Sequence, residues 1–538
     1  MGRSKLNIRD IGKTPSPLTS IEWGGLAPLP PPYDRIEARK KAKVLDENLL
    51  QQIDGSLDGT IAVGMARPAS EAEEEQLIER FLAGLQKLVS RDNNWGFLQQ
   101  LTLSLEHCTG CQTCIDACPI YLSSGRNDIY RPTYRSEVFR RLVNRHTRPG
   151  GRIFAKLQGG DIDLNARTIA RLLELSYRCT LCRRCAQACP IGVDNGLIAR
   201  EIRKLFSMEM GIAPKEIHEK GSMVQLRTGS STGLNPTALR DNIRFLDDEA
   251  SEAAGFKVQT QWDKEGADIL LMHNAGEILS WPENPMAFAI ILTAAGISWT
   301  MSSELAGYDA VNYGVWYDDA QFARVAQRQA KVAKGLKVKK MVIGECGHSH
   351  KALMVVADRL LTGDLNIPRE SSLVLLRDIV RSRLLRLDPS RNNFPVSLHD
   401  PCNIVRLMGI VRPQREVLER ICPQFREMAP HGVDNYCCGG GSGFAIMSSY
   451  NFENWRLSIS GRMKLRQVLE AFADRPEPQT QKYLCAPCSN CKGQFRDLFR
   501  FYQVWENSRI LSGGLAELIV NAMTDIPKPF IQWSGLSS

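Results

Sequence analysis

The sequence predicts a multidomain α+β protein, in which an all-helical domain precedes α/β domains with parallel sheets. Three observations lead to this prediction. The chain has 538 residues, enough for roughly three or four domains of ordinary size. Its cysteines fall into separate groups in the two halves. The apolar pattern changes from helical to alternating strand and helix near residue 237.

Composition sets the broad class of protein. Hydrophobic residues make up 43% and charged residues 24%, as in soluble globular proteins. No run of about 18 apolar residues occurs, so we expect no membrane span and a cytoplasmic location. Sixteen cysteines in a reducing compartment favour metal ligation or redox chemistry over disulfides.

Residues 1–100 contain no cysteine and include a proline-rich stretch, SIEWGGLAPLPPPYDRI. This composition predicts extended, polyproline-like chain rather than core, so we interpret 1–100 as a docking arm followed by helices. Helical patterns run from Ile36 to Ile53 and from Ser70 to Leu88. The second begins with an acidic turn, which suits a helix N-terminus.

Residues 101–220 read as a helical domain without strands. Ser136 is the predicted cap of one helix and Asp194 of another, which should end at Gly211. A third helix is marked by Ile169, Leu172 and Leu173.

Two cysteine motifs lie in this domain, each with the spacing C-x2-C-x2-C-x3-C followed by proline. Three thiolates of one loop can bind one cubane [4Fe-4S] cluster, while the fourth reaches the other cluster. We therefore predict two clusters in a double ferredoxin-type domain, the first held by Cys108, Cys111, Cys114 and Cys189, the second by Cys179, Cys182, Cys185 and Cys118. Structural zinc is the alternative, but it usually takes two separated C-x2-C pairs.

The positive charge is concentrated around these motifs. The net charge is +9, and the stretch 119–220 alone carries the same excess. It lacks interleaved aromatic residues, so we predict no nucleic-acid partner. The arginines nearest the motifs, Arg178, Arg183 and Arg184, are candidates to compensate anionic clusters; otherwise they belong to solvated helix faces.

The second half reads as α/β domains at 237–390 and 391–510, with a C-terminal tail at 511–538. Three predicted strands run into cysteine, at Cys346, Cys402 and Cys488. In open α/β sheets, ligands gather at the carboxyl ends of strands. We therefore expect these cysteines to converge on one edge.

The second of these domains holds five cysteines that point to an unusual metal centre: Cys402, Cys437, Cys438, Cys485 and Cys488. Five thiolates exceed the four corners of a cube, and adjacent glycines permit close backbone approach. A phosphate-binding loop is disfavoured because no Lys-Ser/Thr ending follows. Cys422 is interpreted as a buried small hydrophobe, and Cys491 as structural in preference to a spare ligand.

These motifs carry a resemblance over about residues 100–500. The pattern of Cys402, Cys437-Cys438-Gly439 and Cys485-x2-Cys488 resembles the CCG domain of heterodisulfide reductases, whose five cysteines hold a noncubane [4Fe-4S] cluster that cleaves disulfides. The motif order is similar to that in the D subunit of those enzymes. The segments GECGHSHKA, HDPCN and CCGGGSG are most similar to the DsrK family, catalytic iron-sulfur subunits of DsrMKJOP complexes.

The first CCG-like domain departs from this pattern. It keeps only Cys346, and Ser349 stands in the other place of a C-x2-C pair. A second noncubane cluster is therefore not expected, and Cys346 is interpreted as a thiol near the active site, the alternatives being an additional ligand or a relic. His399 and His348 lie at predicted strand ends and are candidate proton donors.

The resemblance implies an oxidoreductase acting on sulfur groups. Electrons would pass between a quinone-linked cytochrome b subunit, DsrM-like, and a disulfide or trisulfide of a small DsrC-like carrier protein. The chain would then lie peripherally on the inner face of the cell membrane and contact the membrane only through its partners. The alternatives are the D subunit of a heterodisulfide reductase, an iron-sulfur subunit of a flavin-dependent glycolate or glycerol-3-phosphate dehydrogenase, and a zinc-stabilised scaffold.

Overall fold

The computed structural model describes residues 6–13, 18, 21–39, 42–94, 96–157 and 159–533. The first residues of the predicted docking arm and the last residues of the predicted tail lie outside these ranges. The chain divides into two compact units. Unit 1 comprises Met1–Ile217, Trp316–Asp319 and Gly439–Lys464, and unit 2 comprises His218–Val315, Ala320–Cys438 and Leu465–Ser538.

Unit 1 is helical. Its helices are α1 (Tyr33–Arg39), α2 (Glu47–Gln52), α3 (Glu71–Leu88), α4 (Leu98–Glu106), α5 (Pro119–Ser123), α6 (Pro132–His146), α7 (Ala166–Tyr177), α8 (Arg184–Gln187), α9 (Asn195–Met210) and, in the last segment, a helix at Phe452–Trp455. Between residues 101 and 220, no strand occurs in the part that the structure describes, as the cysteine-motif segment predicts.

Helix α9 is formed as its sequence predicts. Asp194 precedes it, and the Asp194 carboxylate accepts hydrogen bonds from the backbone N–H groups of Gly196 and Leu197, both at 3.0 Å. Gly211 ends the helix at φ 68°, a left-handed conformation that favours glycine. Ser70 likewise caps α3, accepting a hydrogen bond from the Glu73 backbone at 3.3 Å.

Two helix predictions are wrong in extent. The pattern from Ile36 to Ile53 forms two short helices, α1 and α2. Ser136 does not cap α6, which begins at Pro132. Proline suits a first helical position because its missing N–H would have no partner there. Ser136 instead donates to the Pro132 carbonyl at 3.0 Å from inside the helix.

The proline-rich stretch is not purely extended arm. Leu26 and Leu29 are 8% and 4% exposed, and the Ala27 backbone N–H donates to the Ser123 carbonyl at 3.0 Å. The prediction of extended chain rather than core is therefore wrong for these residues, because their leucines bury apolar surface within unit 1.

Unit 2 contains two four-stranded sheets in which every strand pair is parallel. The first is built from β1 (Ile269–Met272), β2 (Trp299–Thr300), β3 (Lys340–Ile343) and β4 (Arg369–Ser371) in the order β2-β1-β3-β4. The second is built from β5 (Val396–Leu398), β6 (Phe425–Arg426), β7 (Lys482–Cys485) and β8 (Ile510–Gly513) in the order β6-β5-β7-β8. The predicted fold class is thereby confirmed.

Helices connect these strands, as parallel pairs require. In chain order, with the unit 1 helix Phe452–Trp455 numbered α20, they are α10 (Met223–Thr228), α11 (Pro236–Ala254), α12 (Ala275–Ser280), α13 (Glu283–Ala294), α14 (Leu305–Tyr308), α15 (Asp319–Gly335), α16 (Gly347–His350), α17 (Ser372–Arg381), α18 (Cys402–Met408), α19 (Arg412–Ile421), α21 (Arg462–Ala471), α22 (Ser489–Tyr502), α23 (Val504–Ser508) and α24 (Leu515–Ala522). Residues 510–522, predicted mainly as tail, form β8 and the buried helix α24. No helix in the described ranges is both long enough and apolar enough to span a bilayer.

The two sheets repeat one plan. Their strand orders are the same when β1 to β4 are matched with β5 to β8. In each sheet, a cysteine follows the second of the two central strands. Cys346 lies three residues after the end of β3 and precedes α16, while Cys488 lies three residues after the end of β7 and precedes α22. Cys346 and Cys488 are therefore at equivalent positions.

Candidate metal centres

The two cysteine loops of unit 1 have the same backbone shape. In each loop the residues on either side of the second cysteine adopt left-handed φ angles: Gly110 (70°) and Gln112 (67°) around Cys111, and Leu181 (52°) and Arg183 (60°) around Cys182. Left-handed residues coil the chain tightly. Each loop thereby gathers its thiols over a short stretch of sequence.

The fourth cysteine of each motif lies with the opposite loop. Burial, together with the thiols of Cys108 and Cys189, raises the pKa of Cys114 to about 12. Burial, together with Cys182 and Cys179, raises the pKa of Cys118 to about 12. The structure thus brings Cys189 to Cys108 and Cys114, and Cys118 to Cys179, Cys182 and Cys185, while Cys111 is exposed.

Amide groups point at several of these sulfurs. The Leu181 backbone N–H donates to Cys179 Sγ at 3.4 Å, and the Val193 backbone N–H donates to Cys189 Sγ at 3.3 Å. The Asn195 side-chain amide donates to Cys114 Sγ at 3.9 Å. Hydrogen bonds to cysteine sulfur stabilise thiolates and tune the potential of a bound iron-sulfur cluster.

The arginines proposed from sequence as compensating charges have other partners. Arg178 donates to Asp58 at 2.6 Å and also pairs with Glu174. Arg183 pairs with Asp194, and Arg184 donates to the Ala117 carbonyl at 2.6 Å. Carboxylates already balance Arg178 and Arg183.

A second thiol site forms at the carboxyl ends of the strands of unit 2. The thiols of Cys346 and Cys488 are hydrogen-bonded to each other. The Gly347 backbone N–H donates to Cys488 Sγ at 3.2 Å, and the Asn274 amide donates to Cys346 Sγ at 3.3 Å. The first sheet therefore supplies a thiol to the site of the second.

Cys491 extends this group toward His399 and Cys438. Its thiol is hydrogen-bonded to both Cys438 and Cys488, which raises the pKa of Cys491. Hydrogen bonds from Cys346 and Cys491 lower the pKa of Cys488, since they stabilise its thiolate. One ligand atom each of His399, Cys438 and Cys491 lies within 4.8 Å of the others, close enough to share one metal centre.

Cys402 and Cys437 are also buried, at 8% and 1% exposure. Cys402 begins α18, directly after Pro401. A Cβ atom on Gly347 would lie 3.3 Å from Cys488 Sγ and 3.4 Å from Pro401 Cβ. Glycine at this position therefore lets the Cys346 loop approach both Cys488 and the start of α18.

Cys485 and Cys422 have different surroundings from Cys488. Cys485 is the last residue of β7, and burial followed by the nearby Glu345 and Cys422 raises its pKa. Both thiols belong to the hydrophobic core of unit 2, as expected for Cys422. The sequence predicts Cys485 as a ligand and Cys491 as structural. The C-x2-C spacing of Cys488 and Cys491, matched by Cys346 and Ser349, is the sequence signal that favours Cys491 as the alternative.

The two candidate histidines differ. His399 is fully buried and packs edge-on against Phe495, with ring centroids 5.1 Å apart. His348 Nε2 accepts a hydrogen bond from the Asn312 backbone at 3.1 Å. Burial lowers the pKa of His348 to about 3, so its ring is neutral at physiological pH. Of the two, His399 is the one placed beside Cys438 and Cys491.

The donor chemistry of all three groups fits iron-sulfur clusters. Burial above all raises the pKa of Cys114 and Cys118, and hydrogen bonds to Cys438 and Cys488 raise that of Cys491, so these thiols resist ionisation. A bound cation reverses this effect because thiolate is the metal-binding form. Iron with all-cysteine ligation is the usual occupant of such sets.

Two protein families match parts of the chain. Residues 104–193 match the 4Fe-4S dicluster domain, and residues 396–496 match the cysteine-rich CCG domain. The chain therefore carries two domains of iron-sulfur proteins, in the predicted order.

Longer similarities extend over most of the chain. It is 25% identical to the Hdr-like menaquinol oxidoreductase iron-sulfur subunit 2 of Archaeoglobus fulgidus, covering 78% of this chain and 80% of that one. A related protein of Archaeoglobus profundus is 23% identical over 78% of this chain and 79% of its own. The chain is also 23% identical to the D subunit of the dihydromethanophenazine:CoB–CoM heterodisulfide reductase of Methanosarcina acetivorans. This similarity covers 73% of this chain and 89% of that one. The chain is thus similar to iron-sulfur subunits of heterodisulfide reductase-like oxidoreductases.

Proposed function

We propose that the chain is the catalytic iron-sulfur subunit of a membrane-associated complex of the DsrMKJOP kind. In this proposal it passes electrons between a quinone-linked, DsrM-like cytochrome b subunit and a disulfide or trisulfide of a small DsrC-like carrier protein. The observation that carries the proposal is the thiol cluster at the sheet edge of unit 2. There Cys346 neighbours Cys488, Cys491 neighbours both Cys488 and Cys438, and His399 lies beside Cys438 and Cys491.

The relatives support a membrane-linked role. The two Archaeoglobus proteins are named as iron-sulfur subunits of menaquinol oxidoreductases, and the Methanosarcina protein as part of a heterodisulfide reductase. A chain without a spanning helix in its described part needs a membrane partner to exchange electrons with a quinone. We place it on the cytoplasmic face.

The cysteines of unit 1 would hold two cubane [4Fe-4S] clusters, and those of unit 2 one noncubane cluster. When bound, the cubanes would supply one-electron transfer and the noncubane cluster would supply iron that binds a substrate sulfur. For the noncubane site we propose Cys402, Cys437, Cys438, Cys488 and Cys491. Cys491 replaces Cys485 of the sequence prediction because Cys491 is hydrogen-bonded to Cys438 and Cys488, whereas Cys485 neighbours Glu345 and Cys422.

The remaining site residues handle sulfur and protons. Reduction of one disulfide consumes two electrons and two protons and releases two thiols. His399 adjoins Cys438 and Cys491 and is proposed to deliver a proton to the departing thiolate. Cys346 is proposed to share its proton with Cys488, to which it is hydrogen-bonded, so that Cys488 remains a thiolate.

The proposal is tested on anaerobically purified full-length protein. Iron analysis should give about twelve irons per chain. After reduction with titanium citrate, addition of the disulfide form of a DsrC-like protein should reoxidise the chain and release two thiols per two electrons. Cys438→Ser should abolish this reaction while the EPR signals of the two cubanes persist.

Three results would contradict the proposal. Reduced protein that holds all its iron yet does not react with any disulfide or trisulfide carrier would favour the electron-transfer subunit of a flavin-dependent dehydrogenase. Copurification of a flavoprotein that reduces the clusters with its own substrate would establish that alternative. Protein that is colourless when purified without oxygen would instead indicate a zinc-stabilised scaffold.

A further inference from the structure

Arg203 lies in the interior of unit 1 without a carboxylate partner. It is 0% exposed. Its guanidinium donates to the carbonyl oxygens of Cys179 at 2.6 Å and Ser176 at 2.9 Å, and to the Ser442 hydroxyl. Its guanidinium carbon lies 4.2 Å from the centroid of the Tyr177 ring. All of these partners are neutral.

Three other buried arginines are paired with carboxylates. Arg178 binds Asp58 and Glu174, Arg200 binds Glu201 and Asp319, and Arg415 binds Asp400 and Glu427. A buried guanidinium without an anion carries a large desolvation cost. Within the described residues, no carboxylate lies within ion-pair distance of Arg203, so its positive charge lacks the balance that the other three have.

Arg135 has the same character on the neighbouring helix α6. It is 3% exposed, and it donates to the Leu175 carbonyl at 3.3 Å. Its buried Nε has no hydrogen-bond partner, and no described carboxylate pairs with it. The charge of Arg135 lowers the pKa of Cys118, and it repels Arg203.

Both arginines surround the same cysteine set. Arg203 contacts the backbone of Cys179, and Arg135 acts on Cys118; these two cysteines belong to the set formed by Cys118, Cys179, Cys182 and Cys185. A negative group at this site would balance two like charges buried beside four thiols. A cubane cluster with four thiolates is such an anion.

We propose that Arg203 and Arg135 are the counter-charges of the second cysteine set, and that they raise the reduction potential of the centre bound there. Reduction adds one negative charge, and a nearby positive charge stabilises the reduced state more than the oxidised state. This inference rests on the proposed function, because it presumes a [4Fe-4S] cluster at these cysteines.

The test is an EPR-monitored redox titration of the full-length protein with its clusters. The signal of the second cluster is identified as the one that Cys182→Ser alters. Arg203→Gln removes the charge and keeps hydrogen-bonding capacity, so the midpoint potential of this cluster should shift downward while that of the first cluster stays in place. Arg203→Lys keeps the charge and should hold the midpoint closer to the wild-type value.

Arg200→Gln is the matched control. Arg200 lies on the same helix, is 4% exposed and stacks on the Phe97 ring at 4.7 Å, but its charge is balanced by carboxylates. This substitution should move neither potential. If Arg203→Gln prevents the second cluster from assembling, Arg135→Gln provides the same measurement with the same expected direction.

The outcomes separate this inference from the proposed function. An unchanged second midpoint in both Arg203→Gln and Arg135→Gln overturns the inference, as does an equal shift of both clusters. A wild-type protein without cubane signals overturns the proposed function and the inference with it. A downward shift confined to the second cluster supports both.

Discussion

Arg178, Asp58 and Glu174 form a buried group in which one cation faces two carboxyls. Although burial opposes its ionisation, Arg178 holds the pKa of Asp58 below its ordinary value. For Glu174, burial outweighs Arg178 and, helped by the Asp58 charge, raises the pKa to about 8. At neutral pH, Asp58 therefore carries the negative charge and Glu174 stays largely protonated.

This arrangement predicts a pH dependence of stability. Because the pKa of Glu174 is raised on folding, its contribution is fully present below the ordinary pKa of about 4.3 and is lost as pH rises toward 8. Glu174→Gln removes this titration. The Tm of the variant minus that of wild type should therefore increase between pH 5 and pH 8, measured by circular dichroism; a difference that is constant with pH would contradict the prediction.

Cys491 supplies a second prediction at this scale. Cys491→Ser should abolish the EPR signal of the proposed noncubane cluster and leave the cubane signals intact, because Cys491 contacts both Cys438 and Cys488. Cys422→Ser is the control, since Cys422 is 2% exposed in the apolar core, and it should change stability only. Retention of the noncubane signal in Cys491→Ser would favour Cys485 as the ligand.

Cysteine spacing constrains the two proposed cubane sets more tightly than this third site. In the two ferredoxin-type motifs, spacing alone determines which thiols meet. In unit 2, three cysteines separated by two residues offered two possible pairs, Cys485 with Cys488 or Cys488 with Cys491. The two pairs are distinguished by the end of β7, because this strand includes Cys485 and stops before Cys488 and Cys491. Sequence patterns locate strand ends poorly.

At the scale of elements, the N-cap residue of α9, Asp194, connects this helix to the second cysteine loop. Asp194 accepts two backbone hydrogen bonds at the start of α9 and also pairs with Arg183. The cap was predictable because Asp before a helical pattern is a strong local signal. The true start of α6 was missed because Pro132 lies before the apolar pattern begins.

Asp194→Ala should lower the free energy of unfolding of unit 1 by about 1 kcal/mol, the usual loss for an N-cap. Asp194→Asn keeps the capping oxygen and loses the ion pair with Arg183. Asn should therefore recover most of the lost stability in chemical denaturation followed by circular dichroism. Equal losses in both variants would show that the ion pair, and not the cap, stabilises this element.

At the scale of the whole molecule, unit 1 is assembled from distant parts of the chain. Trp455, in Gly439–Lys464, is fully buried, and its indole N–H donates to the Tyr130 hydroxyl at 3.1 Å. The Phe452 ring lies 6.5 Å from that of Tyr177. No local pattern near residue 450 indicates this packing, because the partners are about 300 positions away and sequence periodicity carries no pairing information.

A fragment of residues 1–217 should therefore be much less stable than unit 1 in the full chain. It lacks the aromatic side chains that cover Tyr130 and Tyr177. In the full chain, Trp455→Ala should cost about 3–5 kcal/mol, as for other buried large-to-small changes, while Trp505→Ala, in unit 2, should leave the unit 1 transition unchanged. Calorimetry of the fragment, the full chain and the two variants checks these expectations. A fragment as stable as unit 1 in the full chain would refute the prediction.

The correspondence between the two sheets extends to the residues just beyond their strands. Gly276 and Ser349 occupy, in the first half, the positions that Cys402 and Cys491 occupy in the second, counted from the ends of the matching strands. This correspondence is what duplication of one ancestral scaffold would leave, with divergence confined to residues just beyond the strands. The first half now contributes to the thiol site of the second through Cys346 and Gly347, which both contact Cys488.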